Sequence, residues 1–175
     1  MEKQIALLRG INVGGHKKMP MAALRTLVEE LGFTNVQSYI QSGNLVFESA
    51  VSASQCESIL KAAILSHYGW DIPVFVITAE YIKAVISEYS LNSNWLEDSY
   101  FTMLSNTPTK KAIANFEAIN YPGEHLSMGN NCVYFYCETG YGKAKTSSAI
   151  LERKLGVSTT TRNYRTLMRL ITMAG

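Results

Sequence analysis

The sequence predicts an α+β chain in which one order of elements, β-α-β-β-α-β, runs twice and is followed by a C-terminal helix. Three observations carry this expectation. The chain has 175 residues, 47% hydrophobic and 17% charged, a globular balance too apolar for disorder. Short apolar or β-branched runs alternate with segments whose apolar residues recur at i, i+3, i+4 and i+7, the periods of strands and of amphipathic helices. The succession of these segments up to residue 78 recurs after residue 98.

Gln4 to Leu8 reads as a buried strand with Arg9 at its exit. The glycine-rich loop Gly10-Ile11-Asn12-Val13-Gly14-Gly15-His16-Lys17-Lys18 follows, and Pro20 takes the first helical position. Leu24, Leu27, Val28 and Leu31 form the buried stripe of that helix, which Gly32 ends. Val36 to Ile40 and Leu45 to Phe47 are strands joined by the turn Gln41-Ser42-Gly43-Asn44. Ser54 with Glu57 predicts a capping box. The helix behind it presents Cys56, Ile59, Leu60, Ala63, Ile64 and His67 inward. Pro73 to Ile77 closes the first set as a strand.

Thr78 caps a helix to about Tyr89, and a looser stretch containing Trp95 follows. Tyr100 to Leu104 is the next strand. Thr107-Pro108 opens a helix with Ala112, Ile113, Phe116 and Ile119 inside. Glu124 to Met128 and Cys132 to Cys137 pair across Gly129-Asn130-Asn131. A helix from Thr146 to Leu155 stops at Gly156, Val157 to Thr161 is a strand, and Asn163 caps the last helix. Both sets have the ferredoxin-like order. The expected organisation is a repeat over 1–78, a connecting helix and loop over 79–98, and a second repeat with its tail helix over 99–175. The repetition is one of element order, without matching residues, and no low-complexity linker separates the sets, so they are expected to pack together.

Several classes of protein are disfavoured. No run reaches the roughly 18 apolar residues of a membrane span, and the first residues lack the layout of a signal peptide. The three cysteines, Cys56, Cys132 and Cys137, have no C-x-x-C spacing, so neither a disulfide framework nor a metal site is expected. Buried thiols in a reducing cytoplasm fit better. The pattern calls for no cofactor and sets no oligomeric state.

Charge is uneven along the chain. Residues 1–25 carry +4, residues 26–139 carry −8 and residues 140–175 carry +6. If the two basic ends meet, they make a patch for a phosphate or carboxylate.

Candidate ligand-binding residues cluster at strand–loop–helix junctions. Gly14 and Gly15 allow close backbone approach, the following helix start favours anions, and Arg9, Asn12, Lys17 and Lys18 add polar and positive groups. The loop is neither a P-loop nor a dinucleotide fingerprint. Gln41, Ser42 and Asn44 form a second polar turn, which turn chemistry alone also explains. Thr161, Arg162 and Asn163 form a third, where Arg162 suits an oxyanion. Lys143 and Lys145 sit in another basic loop. His16 is the one candidate for acid–base catalysis, and no nucleophile, carboxylate pair or metal-ligand motif accompanies it.

The segments Leu7-Leu8-Arg9-Gly10-Ile11-Asn12-Val13-Gly14-Gly15, Met19-Pro20-Met21 with Leu24, Tyr39-Ile40-Gln41-Ser42-Gly43-Asn44 with Val46-Phe47, and Thr160-Thr161-Arg162-Asn163 resemble the bacterial family called domain of unknown function 1697. The resemblance implies a cytoplasmic bacterial protein with two ferredoxin-like repeats, and no activity, cofactor or catalytic residue. The leading expectation is a protein that binds a phosphorylated or other anionic small ligand through basic loops. Nucleic-acid backbone binding, a small enzyme using His16, and a protein-interaction module are the alternatives. Base stacking in the RRM manner is disfavoured, because the first strand lacks an aromatic residue and the third offers only Phe47.

Overall fold

In the computed structural model, which describes residues 1–175, the first set of elements is β1 (Glu2–Leu8), α1 (Met21–Glu30), β2 (Thr34–Tyr39), β3 (Asn44–Ser49), α2 (Ala53–Tyr68) and β4 (Val74–Ile77). Then come α3 (Ala79–Ser87) and a short 3-10 helix, Ser93–Asp98. The second set is β5 (Tyr100–Leu104), α4 (Lys110–Glu117), β6 (Glu124–Met128), β7 (Cys132–Cys137), α5 (Ser148–Leu155) and β8 (Thr159–Asn163), and α6 (Tyr164–Ala174) ends the chain. Contacts divide these elements into two compact units, residues 1–83 with 169–175, and residues 84–168. The boundaries fall inside α3 and α6. No helix is long and apolar enough to cross a membrane.

Each unit holds one four-stranded antiparallel sheet, ordered β2-β3-β1-β4 in the first and β6-β7-β5-β8 in the second. The mixed α+β order is thus run twice. In the first unit, Ala6 and Leu8 of β1, Leu45 and Phe47 of β3, and Val74 and Val76 of β4 share one core. Leu24 and Val28 of α1 and Cys56, Leu60 and Ile64 of α2 complete it. Burial of each such side chain contributes roughly 1.5–3 kcal/mol. Ile5 and Leu7 alternate to the other face and are also fully buried, which is why β1 reads as a continuous apolar run rather than an alternating one. In the second unit Leu104, Val133, Phe116, Leu151 and Leu155 form the corresponding core.

The structure differs from the sequence expectation at two helix caps, one turn, one buried row and one strand start. The capping box on α2 is Ser52 with Gln55, not Ser54 with Glu57: the Gln55 N–H donates to Ser52 Oγ, and Gln55 Oε1 accepts from the Ser52 N–H at 3.0 Å. Glu57 is engaged elsewhere, since its Oε2 accepts the Val76 N–H of β4 at 3.3 Å. Pro20 stands outside α1 as its N-cap. The turn after β2 is Ile40–Gly43, and Asn44 opens β3. The buried row of α2 is the single stripe Cys56, Leu60, Ile64, with Ile59 and His67 exposed. β8 starts two residues later than expected, at Thr159, whose N–H donates to Glu152 Oε1 at 2.7 Å.

The two units also share residue detail. Both α2 and α5 have a serine N-cap (Ser52, Ser147) and a glycine C-cap with left-handed backbone (Gly69, Gly156). In both, a glutamate five residues after the cap accepts an N–H from the last strand of its own sheet, Glu57 from Val76 and Glu152 from Thr159. Both of those strands are sheet edges, whose outward N–H groups otherwise lack partners.

Candidate functional site

The loop after β1 folds as a miniature hairpin. The Asn12 N–H donates to the Lys17 carbonyl at 3.2 Å, and the His16 N–H to the Val13 carbonyl at 3.0 Å. Gly14 and Gly15 close it with φ of +58° and +78°. A two-residue turn with positive φ at both positions is the geometry that suits the twist of a hairpin. These glycines therefore serve a turn. They do not lie at the start of α1, which begins only at Met21. Val13, His16, Lys17 and Lys18 are all exposed, Val13 at 63%.

Asn12 is the fastener. Its Oδ1 accepts the Met19 N–H at 2.8 Å, and its Nδ2 donates to the Met19 carbonyl at 2.9 Å and to the Gln41 carbonyl at 2.8 Å. One amide thus closes the base of the hairpin loop and ties it to the turn Ile40–Gly43. A second tie runs from the Leu8 N–H to the Gly43 carbonyl at 2.8 Å. At Gly43 a Cβ would sit 2.8 Å from Leu8 Cβ and 2.9 Å from Ile11 Cδ1, so the close approach needs glycine. Asn44 is fully buried, and its Nδ2 donates to the Tyr39 carbonyl and to Ser42 Oγ, each at 3.0 Å. The sequence left open whether these two loops adjoin; in the first unit they share one end of the sheet.

The joint surface is positive and partly apolar. Arg9 is half-buried, and Lys17 and Lys18 are exposed. Residues 3–28 and 31–47 contain no Asp or Glu. The adjoining α2–β4 loop carries Asp71, which pairs with Lys61 at 3.1 Å. Ile40 is half exposed and holds φ of +49°, an outlier for a β-branched residue. Strain of this kind persists where surrounding structure over-determines it. Sequence pattern had no signal for Ile40 or Val13, since nothing in their residue types marks exposure.

The second-unit candidates are more scattered and more engaged. Thr161 Oγ1 hydrogen-bonds Thr102 Oγ1 at 2.8 Å and Ser148 Oγ at 3.1 Å. Arg162 is only 8% exposed, with Nη1 donating to Thr160 Oγ1 at 3.1 Å and to the Thr161 carbonyl at 2.8 Å. Burial pulls its guanidinium down to about 10, so it stays cationic at neutral pH. Asn163 Oδ1 accepts the Thr166 N–H at 2.8 Å and caps the first turn of α6, as expected. In the other basic loop, Glu124 accepts the N–H groups of Lys145 and Thr146, and Lys145 Nζ lies 5.6 Å from the Tyr121 ring centre. A carboxylate therefore sits within that loop's own hydrogen bonds. No group of three or more His, Cys, Asp or Glu side chains is arranged to hold a metal ion.

Charge does not segregate by unit as it does along the chain. Each unit carries eight Lys and Arg against seven Asp and Glu, a net +1 that doubles to the +2 of the whole.

Among solved structures three chains match. One is that of a conserved bacterial protein, SP0830, from Streptococcus pneumoniae. It is 27% identical, with 99% of this chain and 98% of that one aligned at a TM-score of 0.76. No curated protein matches. The family model described as "Protein of unknown function (DUF1697)" matches residues 1–134. The matched stretch contains the hairpin loop and the turn Ile40–Gly43 entire, and ends within β7, before Thr160-Thr161-Arg162-Asn163. Because it spans well over half of the chain, the protein belongs to the DUF1697 family.

Proposed function

We propose that the hairpin loop and the turn Ile40–Gly43 form a binding site for an anionic group, a phosphate or phosphate ester on a small molecule. One observation carries this reading: Asn12 fastens together two loops that bring Arg9, Lys17 and Lys18 to one end of a sheet, in segments without a carboxylate. Lys17 and Lys18 supply exposed cations. The Gln41 amide, the Ser42 hydroxyl and the exposed backbone of Gly14 and Gly15 supply neutral polar groups. Asn12 and Asn44 position the loops. Lys143 and Lys145 are a lesser basic site, offset by Glu124, while Thr161, Arg162 and Asn163 serve the sheet and α6. His16 has no role in this reading.

The repeat, connector and repeat over 1–78, 79–98 and 99–175 are, in our reading, ferredoxin-like units with their connector. The antiparallel order with β1 and β3, or β5 and β7, at the centre supports it. The three buried free cysteines support a reducing cytoplasm, and the likeness to the pneumococcal protein supports a bacterial setting.

The test is thermal shift with inorganic pyrophosphate, on the wild-type chain and on a Lys17→Ala/Lys18→Ala double variant. A ligand at about 100 times its dissociation constant adds ~2.7 kcal/mol, which for a chain of this length raises the melting point by roughly 5–10 °C. The double variant should melt like wild type without ligand and lose most of the rise. An equal rise in both proteins would overturn the assignment.

A further inference from the structure

At the far end of β7 in the second unit lies a cleft of about 240 Å³ whose lining includes Asp98, Tyr100, Tyr136, Glu138 and Tyr141. We propose that it binds an organic cation, an alkylammonium or guanidinium group, held between tyrosine rings and carboxylates. The proposal is independent of the anion site in the first unit.

Sign, shape and rigidity all point the same way. Asp98 and Glu138 are the only charged groups in the lining, although Lys143 and Lys145 follow closely in sequence. The remaining large side chains are aromatic. Ring faces are negative and attract cations, best when partly shielded from water. A cleft of this volume falls below the ~300–1,000 Å³ of sites for drug-sized ligands, so its occupant is a single small group rather than a nucleotide. The rings are already oriented. Tyr100 stacks on Tyr141 with centroids 4.1 Å apart, Tyr136 stacks on Trp95 at 4.5 Å, and Phe135 meets the edge of Tyr141. Gly140 makes the turn that brings Tyr141 there, with φ of +86° and ψ of 150°, a region open to glycine almost alone. Binding to such a preset frame orders few side chains.

Both carboxylates can accept a newcomer. Asp98 has Arg165 at 3.7 Å, longer than a hydrogen bond, with both side chains more than 70% exposed. Glu138 pairs with His125 at 3.0 Å, and its side chain is 58% exposed. Exposed pairs of this kind hold weakly, and an ammonium seated among the rings competes with them on good terms. The Tyr100 hydroxyl also feels the field: burial first, then Tyr141 and Asp98, raise its pKa above the ordinary tyrosine value, with Arg165 opposing. Of the two ionised side chains that act on this hydroxyl, Asp98 outweighs Arg165.

The full-length chain is titrated calorimetrically with putrescine and, separately, with a short arginine peptide. Wild type should bind at least one of them with a dissociation constant of about 1 mM or tighter. Glu138→Gln and Tyr141→Leu should each weaken that binding about fivefold or more, while melting cooperatively and keeping the wild-type response to pyrophosphate. Binding of putrescine alone assigns a free amine, and binding of the peptide alone assigns a side chain of a protein partner. No binding of either cation, or equal binding by both variants, would overturn the proposal. Loss of the pyrophosphate response with retained cation binding would instead strike at the anion site.

Discussion

Asn12 bears on the candidate site more than any residue whose charge draws attention. Its amide makes three hydrogen bonds to backbone groups, two of them to Met19, a residue only 1% exposed, and its own φ of +55° is one that asparagine tolerates better than most. Alanine there leaves the Met19 N–H without its acceptor and frees the turn at Gln41. We expect Asn12→Ala to cost about 1–3 kcal/mol, read from chemical denaturation, and to weaken pyrophosphate binding although no charge is lost. Wild-type stability in this variant would show that the clamp is dispensable. The sequence names Asn12 as a ligand contact. Its structural role was illegible because Met19 and Gln41 carry no mark that their backbone groups need a side-chain partner. Arg162 is the converse case: its residue type advertises oxyanion binding, and its place on β8, in register with Phe101, leaves it only 8% exposed.

Among the elements, order was legible and ends were not. Hydrophobic period, run length and turn residues together separate strands from helices, and every strand and helix of both sets appears within a few residues of its expected place. Ends depend on which of several adequate caps is used. Ser52 with Gln55 and Ser54 with Glu57 both fit the capping-box spacing; the first forms, and Glu57 accepts the Val76 N–H instead. Glu124 plays a similar linking part, joining β6 to the loop before α5. Burial pushes its carboxyl up, but donors from Thr146 and Lys145 and the Lys145 charge outweigh this, so its pKa lies below the ordinary carboxyl value. A folded-state pKa that is depressed gives stability that is complete above the unfolded value and disappears as pH falls through the folded one. Melting curves between neutral pH and about pH 3, spanning ordinary carboxyl values, should therefore show wild type ahead of Glu124→Gln at neutral pH. The two should converge at the acid end. A constant gap across that range would mean that the ionised form contributes nothing.

For the molecule as a whole, the charge pattern of the chain misleads because folding redistributes it. The +6 of residues 140–175 stays mostly with residues 84–168, where acids of the middle segment balance it, and only Arg169 falls in the first unit. With a net +1 on each unit, neither carries the broad positive field that gathers a polyanion by long-range attraction. The cations of the hairpin loop act locally, on a ligand small enough to be met by two or three of them. Nucleic acid draws affinity from many phosphate contacts at once, and its non-specific binding at physiological salt runs at roughly 10⁻⁴–10⁻⁶ M even for proteins built for it. We expect a fluorescent single-stranded 12-mer to bind no tighter than about 10⁻⁴ M at physiological salt, as read by anisotropy, under conditions where pyrophosphate still raises the melting point. Sub-micromolar oligonucleotide binding, falling steeply with salt and flattened in slope by Lys17→Ala/Lys18→Ala, would transfer the hairpin loop from a small-anion site to a nucleic-acid backbone contact. Strong binding that the double variant leaves unchanged would place the nucleic-acid surface elsewhere on the chain.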